Sequence, residues 1–132
     1  MPYDGTEYRP TFTLADLAAL LRDRSRWPKG FKWDYEDCEA CAIGLYMKYV
    51  GKSIFDFSNL AEALAHTAQV FNMPQQHAKY IFFYLSEEMP GKYDELVTPE
   101  VVASAIDEYL IQSALANSLS SALHTLLTTF LS

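Results

Sequence analysis

Cys38 and Cys41 form a Cys-x-x-Cys pair, and their type and spacing suggest chemistry more directly than any other side chains in this sequence. Residues three apart on a helix share a face, so the two thiols would be neighbours if a helix has begun by Asp37. With Asp37 as the N-cap, Cys38 would stand in the first turn, where the helix dipole stabilises a thiolate. The pair therefore predicts, as one alternative, a thiol-disulfide oxidoreductase.

The surroundings of the pair favour a second alternative, in which the thiols only pack in the core. Glu36, Asp37 and Glu39 crowd the same turn, and negative neighbours raise the pKa of a thiol. The residues before the pair also make a poor buried strand, which a thioredoxin-like site requires. Free cysteine is among the most buried residue types, so we expect Cys38 and Cys41 to be reduced, packed thiols.

A zinc site would need ligands besides the two cysteines, and the imidazoles of the chain belong to His66, His77 and His124. The spacing from Cys41 to these histidines matches no common zinc finger or ribbon. The sequence also contains no G-x-S-x-G elbow, H-E-x-x-H motif or phosphate-binding glycine loop. We therefore predict a non-enzymatic protein without a metal or a cofactor.

The charge of the chain limits the partners it can bind. A formal net charge of −7 disfavours general nucleic-acid binding, because neutralising phosphates requires a surplus of Lys and Arg. Small acidic proteins can block basic surfaces of other proteins, so an acidic inhibitor of a host protein complex is a specific expectation by analogy. Neutralising Asp107 and Glu108, or the acids between positions 34 and 39, would then weaken salt-sensitive binding to a basic partner.

A local surplus of basic residues around two tryptophans runs against this overall charge. It is either a solvated helix end and loop whose tryptophans pack into the core, or a binding patch for an anionic ligand. The residues of this basic-aromatic patch are Arg22, Arg24, Arg26, Trp27, Lys29 and Lys32, with Phe31 and Trp33 beside them.

Helix signals recur along the chain and place these residues on a helical framework. Thr13 is a suitable N-cap for a first helix, which is expected to end near Ser25 because a Trp-Pro-Lys-Gly segment follows. A second helix is predicted to begin at Asp34 or Asp37 and to continue to Val50.

Three further helix starts follow. Ser58 or Asn59 can cap a third helix, and Asn59 with Glu62 has the spacing of a capping box. Pro74 opens a fourth helix, and Thr98 followed by Pro99 opens the last. No segment alternates like a strand, apart from a few extended residues expected around 54–57. The chain therefore predicts a compact all-α bundle of about five helices.

The last helix carries an apolar stripe to the end of the chain. Val102, Ala105 and Tyr109 begin alternating spacings of three and four that only Gln112 interrupts, so the stretch is one long helix or two helices broken near Asn117. Its first half can face its own domain. Its terminal half either folds back over the core or serves for oligomerisation or partner binding. The candidate interface residues of this C-terminal stripe are Leu115, Leu119, Leu123, Leu126 and Phe130.

Three segments together resemble a group of small, uncharacterised bacterial and phage helical domains. In that group a helix start of the form C-x-x-x-C-A-x-G precedes a P-x-x-x-A-x-x-x-F helix and a helix that begins V/I-T-P. The matching pieces here are residues 31–34 with 38–44, in which the cysteines are one residue closer together, residues 70–82 and residues 97–102. The resemblance implies a compact helical domain without implying an activity, and it suggests that Gly44 allows close helix packing beside Cys41.

Taken as a whole, the sequence predicts a flexible segment at 1–10, a helical domain at 11–112 and an amphipathic C-terminal extension at 113–132. The predicted function is a non-enzymatic protein-interaction module of bacterial, phage or mobile-element origin. It would bind a protein partner, or form a homo-oligomer, through its C-terminal helix. No apolar run reaches the roughly 18 to 20 residues of a membrane span, and the N-terminus lacks signal-peptide features, so we expect a cytoplasmic protein.

Overall fold

The computed structural model describes residues 12–37, 39–89, 91 and 93–131, and within these residues the chain is helical with no β-strand. The helices are α1 (Leu14–Arg22), α2 (Ala42–Tyr49), α3 (Leu60–Val70), α4 (Gln75–Lys79), α5 (Leu85–Glu88), α6 (Tyr93–Leu96) and α7 (Pro99–Leu131). A π turn (Tyr80–Tyr84) joins α4 to α5, so these three segments form one rod. The all-α class and the long last helix are confirmed. The short α6 is not among the predicted helices.

The core lies where α1 packs along α7 and where the π turn between α4 and α5 packs against α7. Leu17 of α1, Ile43 of α2, Phe82 of the π turn and Ile106 of α7 are all fully buried there. Each comes from the apolar face of its own helix, and burying these faces is the main force that holds the helices together.

The start of α1 is held by a reciprocal capping box. The Thr13 hydroxyl accepts a hydrogen bond from the Asp16 amide at 3.1 Å, and the Asp16 carboxylate accepts one from the Thr13 amide at 2.8 Å. These hydrogen bonds lower the pKa of Asp16. The cap satisfies amides at the helix start that have no partner within the helix.

We expect Thr13→Ala to lower the free energy of unfolding by about 1 kcal/mol, because the side-chain half of the cap is lost. Thr13→Ser keeps the hydroxyl and should retain most of that stability. Urea denaturation of the full chain measures both changes. Equal losses in the two variants would show that the cap is not the cause.

The pKa of Asp16 is lowered by folding, so its carboxylate contributes to stability above the unfolded pKa of about 4. This contribution to the free energy of unfolding is lost as the pH falls through the folded pKa.

The second helix begins later than predicted, at Ala42 and not at Asp34 or Asp37. The Asp34 and Asp37 carboxylates each accept a hydrogen bond from the amide two residues later, at 3.0 and 2.9 Å. The Asp34 amide donates to the carbonyl of Ala40 at 2.9 Å. Aspartate side chains that bond to nearby amides stabilise turns in competition with a helix. Residues 34–37 and 39–40 therefore lie in turns and not in a helix.

The prediction of extended residues at 54–57 is also wrong, since Ile54–Asp56 is a 3-10 turn. Ser53 caps this turn through its hydroxyl, and Asp56 accepts from the Ser53 amide at 3.1 Å. A capping box of the same kind as the one at α1 therefore begins this turn. The turn was not predicted because it is too short to show a helical repeat in the sequence.

The π turn has a structural cause in a distant residue. The Tyr35 hydroxyl donates to the carbonyl of Ile81 at 3.2 Å and accepts from the amide of Leu85 at 3.3 Å. In a regular α-helix that amide and that carbonyl would bond to each other. The buried hydroxyl stands between them, which widens the helix at this point.

Candidate functional site

The described thiol of the Cys-x-x-Cys pair is buried. Cys41 is the N-cap residue of α2 and is 2% exposed. Cys38 lies outside the described residues. Since α2 begins at Ala42, the helix start at Asp37 on which the thiolate prediction depended is wrong.

The three histidines lie in different parts of the structure. The His66 ring lies against Phe57, with ring centres 5.0 Å apart, and its Nε2 atom is buried without a hydrogen-bond partner among the described residues. Burial lowers the pKa of His66. His77 packs on Tyr109 at 5.1 Å, and His124 is exposed on the terminal half of α7. Across the described residues, no three His, Cys, Asp or Glu side chains are grouped so as to hold a metal ion.

The arginines of the basic-aromatic patch already have partners within the chain. Arg22 Nη2 lies 2.6 Å from Asp107 Oδ2, and Arg24 Nη2 lies 3.0 Å from Glu100 Oε1. These pairs tie α1 and the following turn to α7. Asp107 is therefore already paired, which leaves Glu108 as the more accessible of the two acids predicted to meet a basic partner.

Four residues of the predicted patch line an open cleft of about 660 Å³ beside the start of α7. Arg26 is not among them and donates to the Tyr49 hydroxyl at 3.1 Å. The indole of Trp27 donates to the carbonyl of Leu20 at 2.7 Å, and that of Trp33 donates to the carbonyl of Val97 at 2.9 Å. Arg24 lies over the Trp27 ring at 5.2 Å. Both tryptophans are half-buried, so they join neighbouring segments while keeping one edge in the cleft. The cleft residues from the predicted patch are Arg24, Trp27, Lys29 and Lys32.

The C-terminal stripe lies on the terminal half of α7, beyond the domain. The helix continues through Asn117 without a break, and every residue from 114 to 129 is exposed. The fold-back alternative therefore does not describe this structure. The large apolar side chains of this segment, together with Ile111 just before it, are between 53% and 70% exposed. We call them the terminal apolar face: Ile111, Leu115, Leu119, Leu123, Leu126 and Leu127. The side chain of Phe130 lies outside the described residues.

The side of α7 that faces the core becomes polar in the terminal half. At about 3.6 residues per turn, side chains about 18 positions apart point to the same side of a helix. Val102 and Ile106 are fully buried against the domain, and the residues on the same side five turns later are Ser120 and His124. A straight α7 could not use this side to extend the core.

The opposite side of α7 becomes apolar over the same distance. Ala105 and Glu108 lie at the edge of the domain or in solvent, and five turns later the same side carries Leu123 and Leu126. The apolar face thus moves roughly a third of the way around the helix between its first and its terminal half. As a result, the terminal apolar face points away from the side of α7 that the domain covers.

An open groove of about 800 Å³ lies on the same side of α7 as this face, further toward the N-terminus of the helix. Its walls come from α7 and from the rod of α4 and α5, and Glu88, Glu100 and Glu108 are among its lining residues. The Tyr80 hydroxyl donates to Glu88 at 2.7 Å, which raises the pKa of Tyr80. We call this the α7 groove. It opens toward the terminal half of the helix at Gln112.

The sequence analysis identified the leucines but missed the groove, because its two walls come from separate helices. The rotation of the apolar face was also missed, although comparing residues five turns apart could have found it.

Comparisons with protein-family models, with curated proteins and with solved structures find no match for this chain. No helix in the described part of the chain is both long enough and apolar enough to cross a membrane. The fold and the candidate site define an all-α domain whose last helix extends past its own core and exposes an apolar face there.

Proposed function

We propose that this protein is a non-enzymatic interaction module and that the terminal apolar face is its docking surface. The observation that carries the proposal is the exposure of six large apolar side chains on α7, five of them beyond Gln112. Contiguous apolar patches larger than a few hundred Å² are uncommon on monomeric proteins and mark sites of interaction.

The composition of the segment supports the same proposal. The polar side of the terminal half is formed by serines, threonines, Asn117 and His124, and most of these are mediocre helix formers. An isolated helix of this length is only marginally stable in water, and most helices in proteins are stabilised by packing of an apolar face. A partner on the terminal apolar face would supply that packing.

Removal of the terminal half tests whether it is a docking surface or part of the core. A chain ending at Gln112 should remain folded, with a free energy of unfolding within about 1 kcal/mol of the full chain in its monomeric form, because residues 114–129 are exposed. Circular dichroism and urea denaturation measure this. The full chain should either associate in light scattering or bind an apolar fluorescent dye, and the shortened chain should do neither.

A pair of charge variants provides the matched control. Leu119→Glu with Leu123→Glu places two acids on the terminal apolar face and should abolish association or dye binding. Ser120→Glu with Ser121→Glu adds the same charge to the other side of the helix and should preserve it. An unfolded shortened chain would contradict the proposal, and so would a monomeric full chain that binds no dye, or equal effects of the two charge pairs.

A further inference from the structure

We infer that the terminal apolar face is covered by a second copy of this chain, lying antiparallel, so that the two terminal halves of α7 cover each other and the two domains stand at opposite ends. This inference rests on the proposed function and names its partner. Four features of the described residues carry it: the charge of the segment, the area of the face, the acids beside the groove and the spacing of the leucines.

The lack of charged side chains in the terminal half of α7 favours pairing with the same segment of a second copy. No Asp, Glu, Lys or Arg follows Glu108, although the chain as a whole has a net charge of −7. Two terminal halves can therefore meet without like-charge repulsion. Recognition of a charged partner helix would use charged residues flanking the apolar seam, and this segment has none to offer.

The area of the face is sufficient for a dimer. Fully burying the exposed parts of six such side chains removes roughly 600 Å² from each chain, taking about 100 Å² per side chain. Two copies together would bury about 1,200 Å², which is at the lower end of the range for specific protein interfaces. Contacts at the mouth of the α7 groove would add to this area.

The acids beside the α7 groove favour the antiparallel orientation. In a parallel pair, the Glu108 side chains of the two copies would lie about 10 Å apart, and both acidic domains would lie side by side. In an antiparallel pair with the axis near residue 121, these acids lie toward opposite ends of the paired helices, with the two Glu108 residues about 40 Å apart at 1.5 Å per residue. The orientation therefore separates the net charges of the two domains by most of the length of α7.

The leucine spacing is compatible with a two-fold axis through the middle of the segment. With the axis close to residue 121, Leu119 of one copy lies opposite Leu123 of the other, and Leu126 lies opposite Ala116. Each contact is then made twice, as in any symmetric dimer. The alternating spacings of three and four keep these residues on one seam along the pair of helices.

A distance between labels tests the orientation. In a chain with Cys38→Ser and Cys41→Ala, a nitroxide is attached at Gln112→Cys, which lies at the mouth of the groove. In the antiparallel dimer the two labels should be roughly 20–30 Å apart, since the axis lies some nine residues away at 1.5 Å per residue. In a parallel dimer they should be about 10 Å apart. Pulsed and continuous-wave electron spin resonance cover the two ranges.

Light scattering on the same labelled protein determines the number of chains. A dimer with the longer distance supports the inference, particularly if Leu119→Glu with Leu123→Glu makes it monomeric while Ser120→Glu with Ser121→Glu does not. A dimer with the shorter distance, a larger oligomer, or a full chain that stays monomeric overturns it. Failure of the proposed function itself is distinguished by unfolding of the chain that ends at Gln112, by a monomeric full chain that also binds no dye, or by equal effects of the two charge pairs.

Discussion

Phe82→Ala is expected to lower the free energy of unfolding by about 3–5 kcal/mol, because it removes a large, fully buried ring from the centre of the core. Phe82 lies in the π turn that joins α4 to α5, and this turn packs against α7. A cavity at this point cannot be filled without moving one of the two helices, so both the lost burial and the void contribute. Urea denaturation followed by circular dichroism measures the change.

Phe55→Ala makes the same chemical change on the surface and serves as the control. Phe55 is 74% exposed on the 3-10 turn before α3, so its removal should change the free energy of unfolding by less than about 0.5 kcal/mol. Similar losses in the two variants would contradict the position of Phe82 in the core.

Tyr35→Phe is expected to lower the free energy of unfolding by about 2 kcal/mol, because the carbonyl of Ile81 and the amide of Leu85 both lose their partner. The two groups can pair with each other only if the π turn tightens into a regular α-helix. That change would rotate α5 by about 100° and move Leu85 out of the core. Tyr84→Phe, on an exposed ring, removes a hydroxyl without this consequence and is the control.

The dependence of the free energy of unfolding on alkaline pH tests the role of Tyr35 independently. Burial raises the pKa of Tyr35, so folding favours the neutral phenol. Its contribution to stability is complete below the unfolded value of about 10 and is lost as the pH rises above it, by up to about 1.4 kcal/mol per pH unit. Burial also raises the pKa of Tyr46, so part of the slope should remain in Tyr35→Phe. An unchanged slope in this variant would contradict the role of the Tyr35 hydroxyl.

The same substitution bears on the docking surface, because the π turn forms part of one wall of the α7 groove. Tyr80, Ile81 and Leu85 all line the groove, and each would change direction if the turn tightened. We therefore expect Tyr35→Phe to weaken the antiparallel dimer as well as the fold, whereas Thr13→Ala should affect the fold alone.

Several helix starts were predictable because a cap acts within a few residues of the chain. Thr13, Asn59 and the pair Thr98 and Pro99 all begin helices where the sequence places them. The start of α2 was misplaced for a related reason. Asp34 and Asp37 have the side chains of N-caps, but here they bond to amides in turns and do not begin a helix.

The repeat of a helix determines which residues share a face, so the leucines of the C-terminal stripe were identifiable from their spacing alone. Whether a neighbour covers that face depends on contacts between segments far apart in the chain. The packing of α1 along α7 covers one side of the last helix, and the hydrogen bonds from Tyr35 to residues 81 and 85 shape the groove beside another. Such contacts leave no periodic signal in either segment. Each contact joins two stretches of the chain, and the hydrophobic pattern of either stretch alone is compatible with many tertiary arrangements.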